Sequence, residues 1–163
     1  MGEPYRITFV CTGNICRSPM AEHVFRRHAE EEGLEVEVDS SGTGGWHLGD
    51  VADHRTVRTL DGNGYTSAHS SRQFQAEWFR HYDLIVALDE GHLGDLRAMA
   101  PTPEDRDKIR LLREFDPQAV EGDLDVPDPY YGEQDGFDQV LELIEAAVPG
   151  LLEEARRGLK ARG

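Results

Sequence analysis

A cysteine-containing loop between a strand and a helix, near the start of the chain, most constrains the fold. Residues 5–10 are mostly apolar or β-branched and predict a buried strand, while Ser18 and Pro19 open a helical pattern that extends to about Glu32. The residues between these two elements are Cys11, Thr12, Gly13, Asn14, Ile15, Cys16 and Arg17. Because Gly13 and Asn14 tolerate left-handed backbone geometry, such a loop can turn several N–H groups inward.

This strand–loop–helix arrangement is typical of an anion-binding site. The unpaired N–H groups and the dipole of a helix N-terminus both favour negative charge. A cysteine such as Cys11 should be a reactive thiolate there, and Arg17 can donate two hydrogen bonds to phosphate oxygens. Ser18 has two candidate roles, as a helix cap or as a donor to the Cys11 sulfur. Together these groups predict phosphoryl transfer through a phosphocysteine.

Strands alternate with helices along the rest of the chain. Hydrophobic periodicity predicts strands at 34–39, 84–88 and 109–112. It predicts helices at 52–60, 71–81 and 91–100, and a long last helix from Phe137 to Leu159 with a kink or a break at Pro149–Gly150. This alternation favours a single α/β domain over residues 1–163, a doubly wound four-stranded parallel sheet with helices on both faces. Sites in such sheets lie beyond the strand C-termini, where the Cys11 loop falls.

Composition excludes several classes of partner. The formal net charge of -15 argues against nucleic acid and against an anionic membrane surface. No apolar run approaches the roughly 20 residues that a membrane span needs, and residues 1–6 have no basic-then-apolar signal pattern. Two cysteines five positions apart are not a secreted disulfide framework, so we expect a cytoplasmic protein.

Two blocks of the sequence resemble the low-molecular-weight protein tyrosine phosphatases. The first is Cys-x-Gly-Asn-Ile-Cys-Arg-Ser-Pro at 11–19, and the second is Asp-Pro-Tyr-Tyr-Gly at 128–132, shortly before the last helix. Asp39-Ser40 followed by Thr43, and residues 87–90 after a buried strand, also resemble the family, so the similarity extends over essentially the whole chain. The resemblance implies a phosphotyrosine phosphatase I-like fold. It also implies hydrolysis of phosphotyrosine in protein substrates with release of inorganic phosphate, without a metal or a cofactor.

By this resemblance, Asp128 is the general acid that protonates the departing oxygen. A phenolate leaves poorly because the pKa of its parent phenol is near 10, so such an acid should contribute about 10²–10⁴ in rate. Pro127 and Pro129 on either side restrict the backbone of Asp128 to an extended form. An ordinary Asp-Pro turn is the structural alternative.

The resemblance also assigns residues around the reacting groups. It implies that residues 12–18 bind the phosphate. Trp46, Tyr130 and Tyr131 would wall a deep slot for a flat aryl phosphate, although such aromatic residues are more often surface or core groups. Ser40 and His69 would hold Asn14 through hydrogen bonds and take no part in proton transfer.

Cys16 has two interpretations that the sequence leaves open. It lies five residues from Cys11 in a curled loop, so a reversible disulfide that shields Cys11 from over-oxidation is one interpretation. The other is a small apolar residue packed under the loop.

Two rival functions share some of these features. Arsenate reductases use the same loop and fold, but the thiol-coupled enzymes need further cysteines downstream and this chain has none after Cys16. A non-catalytic phosphotyrosine-binding module is the rival of another class. The presence of Cys11, Arg17 and Asp128 weighs against that module.

Overall fold

The computed structural model describes residues 2–162 and contains a sheet of four parallel strands. The strands are β1 (Tyr5–Cys11), β2 (Val36–Gly42), β3 (Leu84–Ala87) and β4 (Ile109–Leu111). Their order is β2-β1-β3-β4, with every neighbouring pair parallel. The chain therefore reverses its winding direction between β1 and β3, and the loops after these two strands diverge at the C-terminal edge of the sheet. The predicted four-stranded parallel sheet is confirmed.

Helices cover both faces of this sheet. They are α1 (Arg17–Glu31), α2 (His54–Gly62), α3 (Glu90–Met99), α4 (Pro103–Asp107) and α5 (Gln134–Arg162). Alternation along β1 divides the core in two. Ile7 and Phe9 pack into the larger cluster with α1 and α5, whereas Val10 packs into the smaller one with Phe79 and Leu96. The predicted double-wound arrangement is therefore present.

The helix predicted over residues 71–81 is wrong for most of its length. Only Ala76–Arg80 is helical, as a short 3₁₀ turn. The preceding residues are extended beside the end of β2, where Gly42 N donates to Arg72 O and Phe74 N donates to Gly42 O, each at 2.8 Å. A contact to a strand 30 residues away overrides local periodicity here, and it brings residues 71 and 72 against the loop after β1.

The last helix does not break at Pro149–Gly150 as one of the predicted alternatives had it. The helical backbone of α5 continues through both residues. Gly150 lies against the carbonyl oxygen of Phe115, where an added Cβ would clash. Close approach of α5 to the segment after β4 thus explains this glycine. Within residues 2–162, no helix is both long and apolar enough to cross a membrane.

Candidate active site

The loop after β1 leaves its backbone donors free. Within residues 2–162, the N–H groups of residues 12–16 donate to no protein acceptor. The carbonyl groups of Cys11 and Thr12, in contrast, accept from the N–H groups of Thr43 at 2.9 Å and Gly44 at 3.0 Å. The loop runs directly into the N-terminus of α1, whose dipole adds to these donors. Such an array of unpaired N–H groups binds anions.

Asn14 holds this loop in place from behind. Its φ of 58° lies in the left-handed region, and the residue is fully buried. Its side chain donates to Ser40 Oγ at 3.0 Å and accepts from Arg72 N at 3.0 Å. Its carbonyl oxygen accepts from His69 Nε2 at 2.6 Å and from Ser71 Oγ at 2.8 Å. The structure thus brings together Asn14 and its two predicted supports, Ser40 and His69.

His69 supports the loop as a neutral ring. Burial lowers the pKa of His69, although its hydrogen bond to the carbonyl oxygen of Asn14 acts in the opposite direction. A neutral imidazole has one N–H to donate, and Nε2 uses it on that oxygen. This geometry suits a structural contact.

A buried carboxylate at the end of this network was not predicted. Ser40 donates to Glu22 Oε1 at 2.6 Å, and Arg26 Nη2 donates to Glu22 Oε2 at 2.5 Å. Glu22 lies one turn after Ser18 on the face of α1 that packs on β2. That spacing was the only signal in the sequence, because a charged residue on a predicted buried face has no recognisable role until its partners are known.

Cys11 lies at the base of the loop with a hydroxyl beside its sulfur. The distance from Cys11 Sγ to Ser18 Oγ is 2.9 Å. Asn14 Nδ2 donates to Ser18 Oγ at 2.8 Å, so the Ser18 proton has two acceptors within reach, the sulfur and the more distant Ser41 O at 3.3 Å. A donor in this position stabilises a thiolate. Of the two roles predicted for Ser18, the side-chain cap is not observed, since the residue lies inside α1 and its start at Cys16 has no side-chain cap.

Arg17 is fixed at the mouth of the loop by acceptors from two other elements. Its Nη1 donates to Asp89 Oδ2 at 2.8 Å and to Val126 O at 2.9 Å. Within the described part of the chain, Nε makes no hydrogen bond, and Nη2 lies 3.5 Å from His92 Nε2 and 3.8 Å from Asp128 Oδ2. Arg17 as a whole is only 3% exposed to solvent. Two acceptors thus orient it, while further N–H groups remain for an anion in the cleft.

Asp89 and His92 lie behind the residues that line the cleft, and the sequence predicted no role for either of them. Asp89 caps α3 by accepting from His92 N at 2.9 Å, and His92 Nε2 lies 2.8 Å from Thr12 Oγ1. Burial would raise the pKa of Asp89, but the hydrogen bond from His92 N, His92 itself and Arg17 lower it overall. An acidic residue directly after a buried strand was the available signal, since parallel strands end at one edge.

His92 is buried in a state that disfavours protonation. Burial first and then the charge of Arg17 lower its pKa to about 4, against the attraction of Asp89. Its Nδ1 makes no hydrogen bond within residues 2–162, although Asp89 Oδ1 lies 3.2 Å away. His92 is therefore neutral near pH 7 and holds Thr12 as an uncharged partner.

This burial should make stability depend on pH. Between pH 6.5 and about pH 4 the unfolded chain binds a proton at position 92 that the folded chain does not, so stability falls as the pH falls. We expect the free energy of unfolding to drop by roughly 2–3 kcal/mol more in the wild type than in His92→Gln over this range. Urea unfolding of both proteins at several pH values measures the difference. Parallel curves would show that His92 does not contribute.

Asp128 enters the same cleft from a loop before α5. Its side chain is 45% exposed, and Oδ1 accepts from Tyr130 N at 3.1 Å. The cleft has a volume of about 290 Å³. It is lined by residues of the β1 loop, by the acid and aromatic residues predicted for it, and by one further residue, His47. The full lining is Cys11, Thr12, Gly13, Ile15, Cys16, Arg17, Trp46, His47, Asp128, Tyr130 and Tyr131. Asn14 and Ser18 are fully buried behind the loop and do not line the cleft.

The aromatic walls are largely open to solvent. Trp46 is 76% exposed and Tyr131 is 92% exposed, whereas Tyr130 is 38% exposed. The two tyrosine rings meet edge to face with centroids 5.0 Å apart. His47, which was not predicted, packs against Gly13, where a Cβ would come within 2.9 Å of the imidazole. Apolar surface thus surrounds a polar floor, as in pockets that orient a flat ligand by a few placed polar groups.

Cys16 is a free thiol beneath the loop. It is 5% exposed and belongs to the larger core cluster. Burial, with Asp53 and Cys11 nearby, raises the pKa of its thiol to about 12. A thiol that stays protonated near neutral pH is a poor nucleophile, because the thiolate is the reactive form. Packing under the loop is therefore observed, and the redox interpretation stays a prediction.

The fold and this cleft together define a class of protein. A parallel α/β sheet presents, beyond the C-terminus of its first strand, a cysteine inside an anion-binding loop with an arginine at the start of the next helix. A carboxylic acid faces the arginine from a distant loop. This is the arrangement expected of a cysteine-dependent phosphate-ester hydrolase. Within residues 2–162, no cluster of three His, Cys, Asp or Glu side chains could hold a metal ion.

Comparison with known proteins also indicates a phosphate-ester hydrolase and identifies the family. The sequence profile of the low molecular weight phosphotyrosine protein phosphatases matches residues 6–161. A low molecular weight protein-tyrosine-phosphatase of Streptomyces coelicolor is 58% identical over 160 residues, which are 97% of this chain and 98% of the relative. The chain therefore belongs to the low-molecular-weight phosphotyrosine protein phosphatase family, and the resemblance stated from the sequence is confirmed.

Solved structures agree on the fold. A protein tyrosine phosphatase of Entamoeba histolytica superposes with a TM-score of 0.89 at 33% identity, covering 94% of this chain and 98% of that one. An arginine phosphatase, YwlE of Bacillus subtilis, superposes with a TM-score of 0.82 at 32% identity, covering 93% of this chain and 95% of that one. The same fold thus occurs in proteins named for two different phosphorylated residues.

Proposed function

We propose that this protein hydrolyses phosphotyrosine in protein substrates, with Cys11 as nucleophile, Arg17 as phosphate clamp and Asp128 as general acid. One observation carries the proposal. Cys11 and Arg17, from the two ends of one loop, line a cleft together with Asp128, which is distant in sequence, and Arg17 Nη2 lies 3.8 Å from Asp128 Oδ2. A carboxyl group beside the clamp can reach the ester oxygen of a phosphate bound in the loop.

In the first step the Cys11 sulfur attacks phosphorus. The S–P bond forms as the bond from phosphorus to the tyrosine oxygen breaks, and Asp128 transfers its proton to that departing oxygen. The free N–H groups of residues 12–16 and the guanidinium of Arg17 stabilise the charge on the equatorial oxygens. The products of this step are a neutral tyrosine and a phosphocysteine.

In the second step water hydrolyses the phosphocysteine. Asp128, now ionised, accepts a proton from the water as its oxygen attacks phosphorus. The S–P bond breaks, inorganic phosphate is released, and the Cys11 thiolate leaves with the hydroxyl of Ser18 at 2.9 Å to stabilise it. Both steps use side chains of the protein and water, so the proposed reaction needs no metal or cofactor.

The cleft supports an aryl ester as the substrate. Trp46, Tyr130 and Tyr131 offer aromatic faces above the loop, where a tyrosine ring can stack. At a formal net charge of -15 the protein as a whole repels a phosphate dianion. Recognition must therefore come from the loop donors and Arg17. The two free thiols suit a reducing cytoplasm, where we place the activity.

Turnover by the wild type tests this proposal. We expect it to hydrolyse p-nitrophenyl phosphate and a phosphotyrosine peptide in the presence of reductant and EDTA. A phosphoserine version of the same peptide should react at least about 10²-fold more slowly, because its shorter side chain cannot bring phosphorus to Cys11 past the aromatic walls. Release of inorganic phosphate from each peptide is the measurement.

The other outcomes separate the rival functions. Preference for a phosphoarginine peptide would overturn the tyrosine assignment and retain the hydrolase. Binding of the phosphotyrosine peptide without phosphate release would indicate a binding module. Thiol-dependent reduction of arsenate, with no phosphate release from any ester, would indicate an arsenate reductase.

A further inference from the structure

We propose that Arg55, in the first turn of α2, is a positioning residue that connects the loop bearing Asp128 (residues 126–133, the acid loop) to the phosphate-binding loop after β1 (residues 12–16). This inference rests on the proposed function, because it assigns Arg55 a role through the general acid. Arg55 does not line the cleft and does not touch the region where a phosphate would bind. Its effect must therefore be transmitted through other residues.

Arg55 holds the C-terminal part of the acid loop through hydrogen bonds. Its Nη1 donates to Gly132 O at 2.8 Å, and its Nη2 donates to Tyr130 O at 2.9 Å. The guanidinium also stacks over Phe137, in the first turn of α5, with its central carbon 4.5 Å from the ring centroid. One planar group thus contacts two carbonyl groups of the acid loop and the first turn of α5, a geometry that a lysine ammonium cannot reproduce.

The same guanidinium is bound to Asp53, which touches the phosphate-binding loop. Nε and Nη2 of Arg55 donate to the two carboxylate oxygens of Asp53 at 3.0 Å each. Asp53 caps α2, and its own N–H donates to Ile15 O at 2.8 Å. A continuous path of hydrogen bonds therefore runs from the phosphate-binding loop through Asp53 and Arg55 to the acid loop.

Tyr130 connects this path to the carboxyl group of Asp128. Its N–H donates to Asp128 Oδ1 at 3.1 Å, and its carbonyl oxygen accepts from Arg55. The other end of the acid loop is fixed separately. Val126 is fully buried, its N–H donates to the carbonyl oxygen of Leu88 just after β3, and its own carbonyl oxygen accepts from Arg17. Between these anchors Asp128 is half exposed, so Arg55 limits how far the carboxyl group can move from the cleft.

Charge argues against a direct role in binding the substrate. Asp53 neutralises Arg55, and every guanidinium nitrogen is committed to Asp53 or to a loop carbonyl. The hydrogen bonds of this ion pair also lower the pKa of Asp53 in spite of its burial and raise the pKa of Arg55. The pair is thus ionised throughout the working range, and the anchor does not depend on pH.

The test is the dependence of kcat/KM on the leaving group. For a two-step reaction, kcat/KM reports the step in which the ester oxygen departs. Arg55→Met should lower kcat/KM about tenfold for phenyl phosphate and less than about threefold for p-nitrophenyl phosphate, whose leaving group depends less on an acid. Arg58→Met is the matched control, because Arg58 is an exposed residue of the same helix whose side chain makes no hydrogen bond or ion pair in the described chain. It should change neither value.

Two further measurements separate positioning from a loss of folding or of aryl binding. In an Asp128→Asn background, Arg55→Met should have almost no additional effect on phenyl phosphate, because the acid is already gone. Inhibition by inorganic phosphate should be unchanged in Arg55→Met. Arg55→Lys keeps the charge and should recover only part of the activity on phenyl phosphate. If Arg55→Met does not fold, the leaving-group dependence of Arg55→Lys tests the positioning role instead.

The proposal is wrong if Arg55→Met lowers kcat/KM equally for the two esters, or if its effect is fully additive with that of Asp128→Asn. An effect no larger than that of Arg58→Met would also overturn it. In each of these cases the wild type still turns over, so the proposed function stands. Absence of turnover in the wild type would instead remove both.

Discussion

Replacing Cys11 by serine should lower turnover of aryl phosphates by a factor of about 10⁴ or more. Serine has the same shape but keeps its proton near neutral pH, and its hydroxyl is a much weaker nucleophile than a thiolate. The neighbour of Cys11 Sγ at 2.9 Å is the hydroxyl of Ser18, which can donate but is not a base that would activate a serine. Release of phosphate from p-nitrophenyl phosphate under reducing conditions measures the effect.

The same Cys11→Ser variant should still bind substrate. The free N–H groups of residues 12–16 and the side chain of Arg17 are not altered by the exchange. Calorimetric titration of the variant with a phosphotyrosine peptide should therefore give a measurable dissociation constant. The reference is phosphate-free wild type titrated with the non-hydrolysable phosphonate analogue of the same peptide, and the two dissociation constants should agree within about threefold. Turnover above about one part in a hundred of the wild-type value would exclude Cys11 as the nucleophile.

Replacing Asp128 by asparagine is expected to give the second large loss. Asparagine keeps the size and the hydrogen bond from Tyr130 N but has no proton to transfer. We expect kcat/KM for phenyl phosphate to fall by about 10²–10⁴, and the loss for p-nitrophenyl phosphate to be clearly smaller because its leaving group is more stable as an anion. Initial rates at low substrate concentration measure both values.

Asp123→Asn is the matched control for this substitution. Asp123 lies in the segment before the acid loop, and its side chain is 78% exposed. Among residues 2–162 its carboxylate pairs with Arg113 alone, at 3.5 Å. Its removal should leave both values of kcat/KM within about twofold, since an exposed pair of this kind contributes little. Equal losses for the two esters in Asp128→Asn would show that Asp128 does not protonate the leaving group.

The fold was predictable wherever local sequence and tertiary packing agree. The strands of the sheet are short and either apolar or alternating, and each main helix has one apolar stripe, so periodicity located them to within a few residues. Residues 71–81 show where this fails, because their backbone pairs with Gly42 instead of forming a helix. The apolar residues Phe74 and Phe79 are buried in either case, so the pattern could not distinguish the two structures.

The candidate site was predictable where it is continuous in sequence. Cys11, Arg17 and the loop between them carry their geometry with them, because a glycine, an asparagine and a helix start define a turn locally. Asp89, His92 and Glu22 carry no such local pattern. They act by being brought against Arg17, Thr12 and Ser40.

By itself the sequence determined the parallel α/β sheet and the strand–loop–helix with Cys11, since neighbouring residues and their periodicity specify both. Only the tertiary structure decided that Asp128 meets Arg17 and that Arg55 connects the acid loop to Asp53. Arg17 and Asp128 are separated by 111 positions in the chain, and Arg55 and Tyr130 by 75 positions. Local propensity acts over a few residues, whereas the packing of α2 and α5 on the sheet determines which distant side chains come into contact.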